Sequence, residues 1–184
     1  MEWLIGLLVV AGLLVVYVFT TYNGFVSLKN KCEEAFSTMD VYLTKRYDLI
    51  PNLVETVKGY ASHEKETLDS VISARNKAVN ATSVEDKIAA EQGLAGTLGR
   101  LFALSENYPD LKANTNFLDL QAQLQLMESE IANARKYYNG VVKMFNTKVE
   151  QFPSNIIAGM FNFIKRPLFE VADAGQRENV KVQF

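Results

Sequence analysis

Residues 45–75 read KRYDLIPNLVETVKGYASHEKETLDSVISAR, and the spacing of their apolar residues decides the fold class. Val54, Val57, Ala61, Leu68 and Val71, continued by Ala78, fall at steps of three, four and seven, so their side chains share one face of a helix. Glu64 and Arg75 lie on that same face. A charge on a buried face is costly unless it is paired. One reading lets each charge reach out to the rim. A second makes them a paired polar layer that sets helix register, with Arg46 of the preceding helix as a third member. A catalytic role is a third reading. The candidate polar layer is therefore Arg46, Glu64 and Arg75.

Upstream, Phe25, Leu28, Cys32, Ala35, Met39, Tyr42, Arg46 and Leu49 step by three and four without a break, a heptad seam. Cys32 on that seam reads as a small buried hydrophobe rather than a reactive thiol. Pro51 lacks an N–H and disfavours helix at Ile50. A sharp turn or kink is expected at Leu49–Pro51, with a second helix capped by Asp48 that starts at Pro51 and runs to about Ala81.

Downstream, Ser83-Val-Glu-Asp86 resembles a capping box and predicts a third helix to about Asn107. Its seam holds Val84, Ile88, Ala95, Leu98 and Phe102. Gly93, Gly96 and Gly99 recur at every third residue of the helix. A phosphate loop would need a preceding strand and a different spacing, so close approach of another helix is the expectation. Tyr108-Pro109 ends the element. A fourth helix opens near Thr115, with Asn114, Thr115 and Asn116 as candidate caps. Its seam is Phe117, Leu120, Leu124, Met127, Ile131, Ala134, Tyr138, Val141 and Phe145. Up to Gln151 it would extend roughly 55 Å, and its strict 3.5 period predicts left-handed supercoiling.

The N-terminus carries a different signal. Trp3 to Thr20, WLIGLLVVAGLLVVYVFT, contains no charged residue. Eighteen residues rise ~27 Å, enough for a hydrocarbon core. Trp3 stands at one end and Tyr17 and Tyr22 near the other, where aromatic rings favour the interface. Leu8, Leu13 and Phe19 lie between. A cleaved signal peptide would want a basic leader and a small-x-small site; Met1-Glu2 precedes the run, and bulky residues end it. An uncleaved single-pass anchor in the cell (inner) membrane is expected. Lys29 and Lys31 follow the span, which favours a cytoplasmic domain.

After Pro153 the texture changes. Ile156, Ile157, Met160, Phe161, Phe163, Ile164, Leu168 and Phe169 crowd one short stretch, more apolar surface than a four-helix bundle needs. Three readings apply: the segment folds back over an apolar end, contacts another subunit, or dips into the membrane beside Lys165 and Arg166. The final VKVQF alternates like a strand that could pair with another protein's sheet edge, or is disordered.

Composition bounds the chemistry. The net charge of −2 argues against nucleic acid as a main partner. A single cysteine excludes an internal disulfide and a Cys-rich zinc site. His63-Glu64 would need a second histidine at position 67 to make a zinc-protease helix, and Thr67 stands there. Lys45-Arg46 with Asp48 reads as a local ion cluster at a bundle end. No catalytic residue, cofactor-binding residue or metal ligand is expected, and neither is enzymatic activity.

DLIPNLVETVKGYASHE followed by LDSVISAR resembles the LemA family signature, and YNGFVSLKNKCEEAF before it and FPSNIIAGMFNF after it extend the likeness over nearly the whole chain. The resemblance implies an N-terminal membrane segment and a long helical bundle, and it brings no catalytic motif. Some family members carry a lipoprotein-like signal, which would place the domain outside; this conflicts with the lysine argument, and the side stays open. The expected fold is all-α: a transmembrane anchor over 1–21, an antiparallel four-helix, coiled-coil-like bundle over 22–152, and an apolar C-terminal segment over 153–184. The expected function is self-assembly or scaffolding at the lipid bilayer as a homo-oligomer. Membrane remodelling is a further expectation, because the family includes a magnetosome protein. The alternative is an accessory or adaptor subunit of a membrane protease or signalling system, bound through the C-terminal segment.

Overall fold

The structure, a computed structural model, describes residues 1–170; the strand-like VKVQF lies outside them. Among the described residues all regular structure is helical. The elements are α1 (Glu2–Lys58), α2 (Lys65–Asn80), α3 (Val84–Ser105), α4 (Pro109–Lys112), α5 (Thr115–Glu150) and α6 (Ser154–Met160). The chain divides into two compact units. One comprises Met1–Asp40 and Ala132–Leu168; the other comprises Val41–Ile131 with Phe169 and Glu170.

The expected helix boundary at Leu49–Pro51 is not there: α1 runs through Pro51 to Lys58. A proline inside a helix leaves the carbonyl four residues earlier without its helical partner. Here that carbonyl belongs to Tyr47, and it accepts a hydrogen bond from Nε of Arg75 at 3.2 Å. Pro51 itself faces solvent, while Ile50, Leu53, Val54 and Val57 around it are buried.

The break falls instead at residues 59–64. Gly59 ends α1, and the N–H groups of Tyr60 and Ala61 both bond to the Val57 carbonyl. The apolar seam hid this break. Ala61 is buried in the turn, and Leu68, Val71 and Ala78 are buried on α2, so the three-four spacing continues through a segment that is not helical. Tyr60 and Glu64, on either side of Ala61, are held from the chain around α4. Asn114 Nδ2 donates to the Tyr60 hydroxyl at 2.9 Å, and the Tyr108 hydroxyl donates to Glu64 at 3.1 Å.

Two helix starts follow their caps. Ser83 accepts the Asp86 N–H at 3.0 Å ahead of α3, and Asn114 accepts the Phe117 N–H at 3.0 Å ahead of α5. On α5 the heptad positions Phe117, Leu124, Ile131, Tyr138 and Phe145 are all buried. On α1 the buried positions slip past the strict repeat: Leu43 and Ile50 are buried where Tyr42 and Leu49 were expected. A helix of 3.6 residues per turn drifts ~20° per heptad from a 3.5 repeat, which suffices for that change of one position. Gly93, Gly96 and Gly99 are exposed, and a methyl group at any of them would meet nothing within 4 Å. The expected close helix approach is therefore not made within this chain among the described residues.

Candidate functional site

The second unit contains a buried ion cluster. Arg46 on α1 is 2% exposed; its guanidinium bonds Glu91 of α3 through Nη2 and Glu128 of α5 through Nη1, the latter at 2.5 Å. The Tyr47 hydroxyl donates to the other Glu91 oxygen. Burial alone would lower the Arg46 pKa, but the Glu91 and Glu128 carboxylates outweigh it and hold the guanidinium above its ordinary value. An arginine held in this way stays charged at any physiological pH and serves as an anchor rather than a proton carrier. Its fork ties three helices at one level, a device that fixes register. The cluster corrects the reading of Lys45-Arg46-Asp48 as a local group, since the carboxylates lie 45 and 82 residues along the chain. Glu64 and Arg75 do not join it. Glu64 bonds Tyr108, and Arg75 bonds Tyr47 and Asn76.

The first unit gathers aromatic rings beside the end of the N-terminal apolar stretch. Trp3, Leu8, Leu13 and Phe19 are exposed, and Tyr17 and Tyr22 are half-buried. The Tyr22 ring lies 4.7 Å from Phe161 and 5.8 Å from Phe163. Phe163 stacks on Phe25 at 4.8 Å, and Phe25 meets Phe145 edge-on at 6.1 Å. Lys148 Nζ sits over the Phe25 ring at 4.9 Å, a cation–π contact, and passes Gly24 where a methyl group would block it. Cys32 is buried in this unit, and burial raises its thiol pKa; Arg166 opposes that rise and Glu33 adds to it.

The turn after α6 aims Phe163 inward. Asn162 has φ 56°, the left-handed conformation that asparagine tolerates better than other side chains. The Phe163 N–H bonds the Ala158 carbonyl at 2.9 Å and the Asn162 N–H bonds that of Gly159 at 3.4 Å, which is a Schellman C-cap. The chain then follows α5 away from its end. Lys165 pairs with Glu150 at 2.6 Å, Arg166 exchanges hydrogen bonds with Asn146, and the Tyr138 hydroxyl donates to the Pro167 carbonyl at 3.0 Å.

The eight residues expected to make assembly or membrane contact therefore separate. Ile157 and Phe169 are buried, and Phe163 is half-buried under Tyr22 and Phe25, so these three are not presented to solvent. Ile156, Met160, Phe161, Ile164 and Leu168 stay exposed. Sequence reasoning missed Glu91, Glu128 and Asn162. The first two carried no local signal. The third was legible as an asparagine between two phenylalanines directly after a helical run. Among the described residues, no three of His, Cys, Asp and Glu gather where a metal ion could be held.

A sequence model of the LemA family matches residues 35–184. Protein LemA of Metamycoplasma hominis is 25% identical, over 82% of this chain and 69% of that protein. Magnetosome protein MamQ 2 of Paramagnetospirillum magneticum is 25% identical, over 89% of this chain and 70% of its own length. Magnetosome protein MamQ of Magnetospirillum gryphiswaldense is 23% identical with the same coverage.

Proposed function

The chain belongs to the LemA family, and on that premise we propose that it is a non-enzymatic, single-pass membrane protein whose helical domain self-assembles or scaffolds other proteins at the bilayer. The anchor reading is supported by α1, which begins with a stretch long and apolar enough to cross a membrane whose side chains the protein leaves uncovered. In this reading the extramembrane helices form an antiparallel bundle. Two contacts in the second unit favour it: Arg75 reaches back to Tyr47 across the turn at 59–64, and Asn114 bonds Tyr60.

The observation that carries the scaffold reading is the exposed glycine face of α3. Each glycine costs its helix about 1 kcal/mol relative to alanine. Gly93, Gly96 and Gly99 gain no close packing in return among the described residues. A helix of a second copy or of another protein seated on that face would supply it. The test is the mass of the full-length protein in mild detergent, together with crosslinking in cells. A discrete oligomer or a recurrent crosslinked partner supports the proposal. A strict monomer with no crosslinked partner overturns it.

A further inference from the structure

In the first unit, a group of exposed apolar side chains lies to one side of the place where the N-terminal stretch ends. Phe152 (76% exposed), Met160 (67%) and Ile164 (72%) are accompanied by Ile156 and Phe161. They belong to the turn after α5, to α6 and to the segment that follows it. Their level is set by two contacts. Phe161 lies against Tyr22, and Phe152 and Pro153 line an open groove with Tyr17 and Thr21. Tyr22 is two residues past Thr20, about 3 Å of helix rise. The polar headgroup layer is roughly 5–8 Å thick on each side of the hydrocarbon core, so the apolar set stands at the depth of that layer.

We propose that Phe152, Ile156, Met160, Phe161 and Ile164 form an interfacial docking surface that rests in the lipid headgroup layer beside the anchor. The proposal rests on the membrane-anchored reading above. The surface meets the end of the anchor at Tyr17, Thr21 and Tyr22, and the anchor's neighbouring Val16 and Phe19 are themselves exposed. Short apolar faces of this kind bury themselves at the headgroup–acyl boundary. Docking proceeds by apolar contact rather than charge, because the two basic residues of the segment are already neutralised: Lys165 by Glu150 and Arg166 by Glu33.

The single tryptophan, Trp3, makes this measurable. The full-length protein is reconstituted into phosphatidylcholine vesicles carrying brominated acyl chains, which quench indole fluorescence on contact. Trp3 of the unaltered chain reports the anchor alone. Trp3→Phe/Ile164→Trp and Trp3→Phe/Met160→Trp report the docking surface. Trp3→Phe/Tyr137→Trp is the control, thirteen residues and about 20 Å up α5 from Glu150. Both substituted positions are exposed, and an unchanged helical circular-dichroism signal confirms folding. The expected result is quenching at positions 160 and 164 comparable with that of Trp3, none at 137, and no change when phosphatidylglycerol is added. Quenching at Trp3 without quenching at 160 and 164 overturns the docking surface and leaves the anchor standing. Blue-shifted emission there without quenching would mark a second copy as the cover, with the same consequence. Quenching that requires phosphatidylglycerol overturns the apolar mode. Loss of quenching at Trp3 itself removes the anchor reading.

Discussion

Arg75 donates from Nε to the Tyr47 carbonyl oxygen, the acceptor left without its helical partner by Pro51. A defect written into one helix is thereby repaired by a side chain of the next. Removing the donor as Arg75→Ala is expected to cost about 1 kcal/mol. Pro51→Ala restores the missing N–H, so the same Arg75→Ala change should cost less in that background. The coupling is read from urea unfolding of the four proteins in detergent. Equal costs in both backgrounds would show that the bond compensates nothing.

Arg46 should be the most sensitive single position of the second unit. Arg46→Ala leaves Glu91 buried without its cation, and breaking a buried pair from one side costs about 3–5 kcal/mol. Replacing its buried members with apolar residues, Arg46→Met, Glu91→Leu and Tyr47→Phe, should recover much of the loss, since no buried charge is then stranded and the half-exposed Glu128 keeps its solvent. Thermal unfolding of both variants decides this. A triple variant no better than Arg46→Ala would mean that the cluster contributes more than the pairing of buried charges.

Asn162 places Phe163 under Tyr22 and Phe25 through its left-handed φ. Asn162→Gly keeps that conformation accessible and should be nearly neutral. Asn162→Val forces a β-branched residue into it and should cost about 1–3 kcal/mol. Comparable stabilities for the valine and glycine variants in a denaturant series would contradict a conformational role for this residue.

Gly96 separates folding from assembly. Open space surrounds it, so Gly96→Ala should stabilise the chain by up to about 1 kcal/mol. If the α3 face seats another helix, Gly96→Leu should fold normally yet lower the mass measured in detergent. A bulky side chain that leaves the mass untouched would clear the face of any role in association.

Cys32 should behave as an inert thiol. Its pKa is raised, first by burial, so the fold favours the protonated form. The associated stability is present below the ordinary thiol pKa of about 8.5 and is lost as pH rises through the higher folded value. Alkylation at pH 8 should be slow in the native protein and rapid in denaturant. Fast labelling of the native chain would show that the buried seam opens readily.

Several of these features could be read from the chain alone, and for a common reason. The apolar run from Trp3 to Thr20, the Ser83 and Asn114 caps and the heptads of α5 are local patterns, and helix hydrogen bonds and capping act over three or four residues. Pairing across helices does not. Arg46 could be recognised as a charge on a buried seam. That Glu91 and Glu128 would answer it depended on which helices lie alongside α1 and at what height, and no local spacing encodes that. The same limit explains Pro51. The residue reads as a helix breaker until Arg75, 28 positions past Tyr47, is brought to the carbonyl it frees. It also explains the C-terminal segment, whose composition announced surplus apolar surface. Only the reversal at Asn162 decided that Phe163 turns inward while Met160 and Ile164 face out, because one left-handed residue sets the direction of the residues that directly follow it.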